Sequence, residues 1–375
     1  MYSARQLRIR IALVLTSSGI AALPACGSTV ETSNTTSNVL GGAGGVGGAS
    51  NGTGGSTGTM PPAGCTEECQ LQGTAACPAA SQVEDGCCNP AMAGPFEKDG
   101  QCCYWFCDGT CCGRPFTVAG HARVAGVMER ADWSAKEQAG PVALDPRSRA
   151  AIVEAWIADA QMEHASVASF ARFTLELLAL GAPADLVADS QRASLDEVEH
   201  ARLCFGIAAR LGERSFGPAP LDLAGALRGG SLAESAACAV REGCIGETLA
   251  SLMARAQLDH AKDEGVRRAL ARIADDEEAH AALAWRFVAW AIALGGEPVR
   301  AAVTEAFADG ARQMRAQQAA PIADGVDEAS WHRFGRLTPA EADAVTTTAL
   351  DDVIAPCADM LLRGQPIGEL AGATA

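Results

Sequence analysis

The stretches Glu197-Val198-Glu199-His200 and Glu277-Glu278-Ala279-His280 decide the reading of this chain. Each places a histidine three residues after a glutamate, inside a long stretch of helical periodicity. Residues i and i+3 share a helix face, so each pair aims a carboxylate and an imidazole at one point. The pairs are about eighty residues apart, and each is preceded by a further helical stretch. Two helical hairpins that bring these faces together form a four-helix bundle with a dinuclear metal centre.

Outward from the motifs, residues 146–294 read as four helices, covering about 146–180, 184–211, 231–260 and 264–294. Asp145-Pro146 offers an N-cap and a first-turn proline, and Gly181-Ala182-Pro183, Gly212 and Gly295-Gly296 are breakers. Further helices are expected near 297–319 and 338–363, within a C-terminal extension over 295–375. Thr338-Pro339-Ala340-Glu341 opens the latter as a capping box.

The two hairpins read as an internal repeat. Aligning the paired motifs sets Glu163 against Glu242 as the upstream carboxylates. On the first helix Ile152, Trp156, Val167, Phe170, Thr174 and Leu177 lie on the Glu163 face, so that carboxylate points into the core. Leu186, Ala193 and Cys204 flank Glu197; Leu270, Ile273, Ala284 and Val288 flank Glu277 and His280. On the third helix Glu242 lies near the edge of the apolar stripe, and Glu247 is the alternative. Five residues apart, the two are about 140° around a regular helix, so both face inward only if the helix contains a π-bulge. Stripe position favours Glu242.

A carboxylate on an apolar stripe is costly unless paired or metal-bound. Four of them with two histidines suit two iron or manganese ions, whose +4 offsets four negative charges. The chain here resembles the ferritin-like di-iron carboxylate superfamily, whose four helices carry Glu, Glu-x-x-His, Glu and Glu-x-x-His. The resemblance covers roughly residues 150–293. It implies Glu163, Glu197, His200, Glu242 (or Glu247), Glu277 and His280 as metal ligands, with Asp196 and Asp276 as outer acceptors that hold the histidines. It also implies an oxidoreductase that uses O2 or peroxide on an unknown small molecule, of the di-iron oxidase or peroxidase type. A non-enzymatic iron-sequestering protein and a structural surface lipoprotein are the alternatives. No rubredoxin-like cysteine pair follows the bundle, and the additional segments disfavour a ferritin cage. No organic cofactor is expected. His164, His260 and His332 read as residues outside the ligand set, and Cys204, Cys238, Cys244 and Cys357 as small hydrophobes.

The remainder of the chain has a different character. Arg5, Arg8 and Arg10 followed by the apolar run Ile11 to Leu23 read as an export signal over residues 1–25. Leu23-Pro24-Ala25-Cys26 resembles a bacterial lipobox, which implies lipidation at Cys26. The protein is therefore expected outside the cytoplasm, anchored by lipid to a membrane on the periplasmic or cell-surface side. Residues 26–64, rich in Gly, Ser and Thr, read as a disordered tether. Ten of the 15 cysteines fall between 65 and 112: Cys65, Cys69, Cys77, Cys87, Cys88, Cys102, Cys103, Cys107, Cys111 and Cys112. In an exported chain this density predicts a small disulfide-rich domain of unknown pairing. Residues 113–145 read as a linker with short strands. The formal charge of −16 excludes an electrostatic grip on phosphate backbones, so no nucleic-acid partner is expected. The fold class expected is thus mainly α: a ferritin-like four-helix bundle with extra C-terminal helices, behind a disulfide-rich domain and a tether.

Overall fold

The computed structural model describes residues 4–17, 65–71, 91–98, 101–107, 116–118, 121–135, 143–227, 230–317 and 321–363. Cys26 and the tether lie outside these residues. Of the cysteine-rich region only backbone strands are described: β1 (Cys65–Leu71), β2 (Ala91–Lys98) and β3 (Gln101–Cys107), in an antiparallel sheet of order β1-β3-β2. The disulfides expected there fall outside the described side chains.

The protein is mainly α. α2 (Pro146–Ala179) and α3 (Ala184–Gly212) form the first hairpin. The second begins with α4 (Leu232–Ala239), passes through a π-helix (Val240–Glu247) into α5 (Thr248–His260), and returns along α6 (Glu264–Ala316). The sequence explains these boundaries. Asp145 accepts from the amides of Arg147 and Ser148, with Pro146 in the first turn. Ser231 and Glu234 close a capping box on α4. The helical bonding of α6 runs past Gly295-Gly296, but Gly296 turns the chain at φ 62°, ψ −143°, a geometry only glycine adopts readily.

The linker and the inter-hairpin connection are tied together by β4 (Thr117–Val118) with β5 (His121–Ala122), and by β6 (Val127–Met128) with β7 (Gly217–Pro218). α7 (Glu328–Arg333), α8 (Pro339–Thr348), a second π-helix (Ala349–Ile354) and α9 (Ala355–Arg363) form the C-terminal extension. α1 (Ala4–Ser17) buries Leu7 and Ile11 in the same core as α6 and the second π-helix. Among the described residues no helix is long and apolar enough to cross a membrane.

The core falls into two apolar clusters. One contains Phe170, Phe173, Leu177, Leu186, Ala193, Leu249 and Ala281 to Ile292. The other contains Ile152, Trp156, Ala160, Cys204 to Leu211 and Val266 to Ala274. On α2 the change from one cluster to the other occurs around Glu163, on α3 around Glu197 and His200, and on α6 around Glu277. The charged residues therefore form one layer between two apolar halves of the bundle.

Candidate metal centre

Two groups of ligating side chains occupy that layer. Glu163, Glu197, His200 and Glu277 form one; Glu197, Glu247, Glu277 and His280 form the other. Within each, one ligand atom per residue lies within 4.8 Å of the others. Glu197 and Glu277 belong to both, so each would be within reach of either of two cations. Glu163 with His200, and Glu247 with His280, stand at the two ends.

Each imidazole presents Nδ1 to the carboxylates. His200 Nδ1 lies 3.4 Å from Glu277, 3.6 Å from Glu197 and 3.7 Å from Glu163. His280 Nδ1 lies 3.2 Å from Glu197 and 3.6 Å from Glu277. Each Nε2 faces an aspartate of the opposite motif. His200 Nε2 is 3.1 Å from Asp276, and His280 Nε2 is 3.5 Å from Asp196. A proton on Nε2 aimed at the aspartate leaves the Nδ1 lone pair directed inward, the tautomer a metal ligand requires. Arg272, largely exposed, links both aspartates: it is hydrogen-bonded to Asp276 and lies 3.1 Å from Asp196.

Glu242 stands in neither group, which corrects its preference over Glu247. Its buried carboxylate is 3.1 Å from the Arg172 guanidinium and accepts from Thr117 and Ser169 hydroxyls at 3.3 Å. The reason is level along the bundle, measured from the turn. Glu247 lies 13 residues before His260, where α5 ends, and Glu277 lies 13 residues after Glu264, where α6 begins. Antiparallel helices with a tight turn bring equal offsets side by side. Glu242 is five residues farther out. The π-helix does what a regular helix cannot: with i→i+5 bonding it turns both carboxylates inward, one turn apart. Both are buried, Glu242 against Arg172 and Glu247 at the site. Aligning the two motif pairs could not reveal this, because Glu163 lies 16 residues before Ala179, where α2 ends, so the first hairpin has a longer outgoing arm than the second.

The electrostatics fit cations. Burial, then the Glu197 carboxylate, push Glu163 well above the ordinary carboxylate range. Burial and the neighbouring Glu277 do the same to Glu247. Burial disfavours a charged His200, but Asp276 and the facing carboxylates outweigh it and raise the imidazole well above its usual value. His280 is raised in the same way, with Asp196 and Glu197 outweighing burial. Without cations, protons supply the positive charge the layer needs. Oε2 of Glu197 and of Glu277, and Nδ1 of both histidines, are buried with no hydrogen-bond partner among the described residues. Buried polar atoms are rarely left so, and four converging on one point suit a metal pair.

His164, beside Glu163 in sequence, lies outside the layer and packs edge-on against Trp133 with ring centroids 5.0 Å apart. A cavity of about 290 Å³ reaches Glu163 and Glu277 from the side. Its walls include Trp156, Met253, Leu270, Trp331 and Arg336, so they are mainly apolar. Arg336 is bound to Asp159 and stacked over Trp156 at 5.2 Å. The sequence reading missed this cavity because Trp331 and Arg336 come from the C-terminal extension, which no periodicity argument could dock against α2.

No family model matches the chain, and no curated protein matches it. One solved structure, described as "Protein 19 with aldehyde deformylating oxidase activity from Synechococcus", is similar at 20% identity with a TM-score of 0.40. The match spans 59% of this chain and 98% of that one.

Proposed function

We propose that this chain is an exported, lipid-anchored protein that holds two iron or manganese ions in its bundle and uses O2 or peroxide to oxidise a small organic molecule. The observation that carries the reading is the sharing of Glu197 and Glu277 by two ligand groups, each closed by one glutamate and one histidine. Such a pair, when bound, supplies two-electron redox chemistry toward oxygen or peroxide. The protein residues have simpler tasks. Asp276 holds the Nε2 proton of His200, and Asp196 faces Nε2 of His280 at 3.5 Å. Phe170, edge-on to His280 with centroids 5.0 Å apart, closes that end against water. The cavity leads a substrate to the Glu163 end. The export signal and lipobox-like Cys26 support a location outside the cytoplasm.

Anaerobic titration with Fe2+ followed by exposure to oxygen tests the reading. Saturation near two ions per chain, with a diferric absorption that turns over on adding peroxide and reductant, is the expected result. Uptake far beyond two ions favours an iron-sequestering role. No bound metal in protein matured in its native host would end the metal reading altogether.

A further inference from the structure

Away from the central layer, three side chains from three helices converge where the C-terminal extension meets the bundle. His260 ends α5, His332 lies in α7 and Glu341 in the first turn of α8. Their ligand atoms all lie within 4.8 Å of one another. His332 Nε2 is 2.9 Å from Glu341 Oε2, and His260 Nε2 is 3.6 Å from Glu341 Oε1. The two rings are 4.6 Å apart between centroids and tilted by only 32°, so both turn the same nitrogen to one carboxylate.

The capping box of α8 accounts for part of this arrangement. Glu341 Oε2 accepts from the amide and hydroxyl of Thr338, both at 2.8 Å. It does not account for Oε1, which faces His260, nor for two imidazoles brought to the same point from separate helices. A tetrahedral cation with bonds of about 2.0–2.1 Å keeps its ligand atoms about 3.3 Å apart. The two imidazole nitrogens approach different oxygens of Glu341, at 2.9 and 3.6 Å, and one ligand atom from each of the three residues lies within 4.8 Å of the others, close enough for a cation to draw the three together. Two imidazole nitrogens and a carboxylate oxygen, with a place left for water, are a donor set that zinc favours.

We propose that His260, His332 and Glu341 form a second metal site, for one divalent cation of the zinc class. All three side chains are partly exposed, so the ion exchanges with the medium. The site borders the approach to the central layer. Trp331, Arg336, Leu337 and Ala342, which flank two of the ligands, line the cavity that reaches Glu163 and Glu277. The amides of Lys262 and Asp263 already donate to the Arg333 carbonyl at 2.9 and 3.1 Å. A cation would add a second tie between the end of α5 and the α7–α8 segment and would hold that cavity wall in place.

Zn2+ titration calorimetry on the full chain tests this independently of the central site. Two backgrounds serve: Glu197→Ala with Glu277→Ala, and the unsubstituted chain with its centre first filled with Fe2+ under anaerobic conditions. Each should bind one Zn2+ per chain. Adding His260→Ala with His332→Ala should weaken that binding at least tenfold. His332→Gln, which keeps a hydrogen-bonding group beside Glu341, should fold as its parent by circular dichroism and still lose the ion. Co2+ in the parent should give the intense visible absorption of a four-coordinate site, absent from the histidine variants. Zn2+ binding unchanged by the histidine substitutions, or no Zn2+ bound in either background, overturns the proposal.

Discussion

Glu242 and Glu247 are chemically identical, five residues apart and both buried, yet they have different tasks, and substitution separates them. In the proposed centre Glu247→Gln would take away one end ligand, so metal content should fall from about two ions per chain to about one while the fold survives. Glu242→Ala leaves the Arg172 guanidinium buried without its main counter-charge. Breaking a buried pair from one side costs about 3–5 kcal/mol, while metal content should stay near two. Metal analysis with urea denaturation distinguishes the outcomes; the reverse pattern would return Glu242 to the site. Five of the six ligand positions chosen from sequence lie in the layer, because a carboxylate on an apolar face signals its own cost. The sixth was not legible. The choice between Glu242 and Glu247 depends on how far each lies from the turn, and helical faces carry no information about level.

At the scale of elements, the α5–α6 turn is what sets that level. Asp263 caps α6 by accepting from the Val266 amide and binds Arg210 of α3 through both oxygens, at 2.7 and 3.0 Å. Asp263→Ala should cost about 2–4 kcal/mol, a lost cap together with a largely buried pair. Burial works to raise the Asp263 carboxyl, but Arg210 and the capped amides outweigh it, and its folded value lies below the ordinary one. Its contribution is therefore complete above the unfolded carboxylate value of about 3.9 and is lost as pH falls through the lower folded value. The stability gap between the metal-stripped parent and Asp263→Ala, measured by urea at pH 7 and again near pH 3, should narrow at the acid end. The first and last helix starts were readable from Asp145-Pro146 and from Thr338 with Glu341 because these are local rules. The docking of α7 beside α2 was not, since contacts such as Trp156 Nε1 to the Phe334 carbonyl, at 3.1 Å, join residues far apart in the chain.

For the whole molecule, the polar layer between two apolar clusters predicts a fold that outlasts its metals. The stripped chain should keep its helical circular dichroism, because Trp156, Phe205, Trp285 and Phe287 are buried in the apolar clusters on either side of the layer. Loading should stabilise it by about 4 kcal/mol per site when free metal is a thousandfold above its dissociation constant. Acid should reverse the loading, since protons compete for the same carboxylates and imidazoles. The aspartates give this loading a particular form. Asp276→Ala should weaken metal binding by about 10–100-fold, the usual effect of losing an outer partner, and the ion most affected should be the one beside His200, which belongs to the other hairpin. That crossing has a consequence for the repeat itself. Each hairpin carries the brace its counterpart needs and lacks its own, so neither is a working half. A chain cut or duplicated to hold two copies of one hairpin would retain the motifs in sequence, yet its site would depend on re-forming the exchange. The symmetry of this bundle is an interlock, and the largely exposed Arg272 joins its two braces.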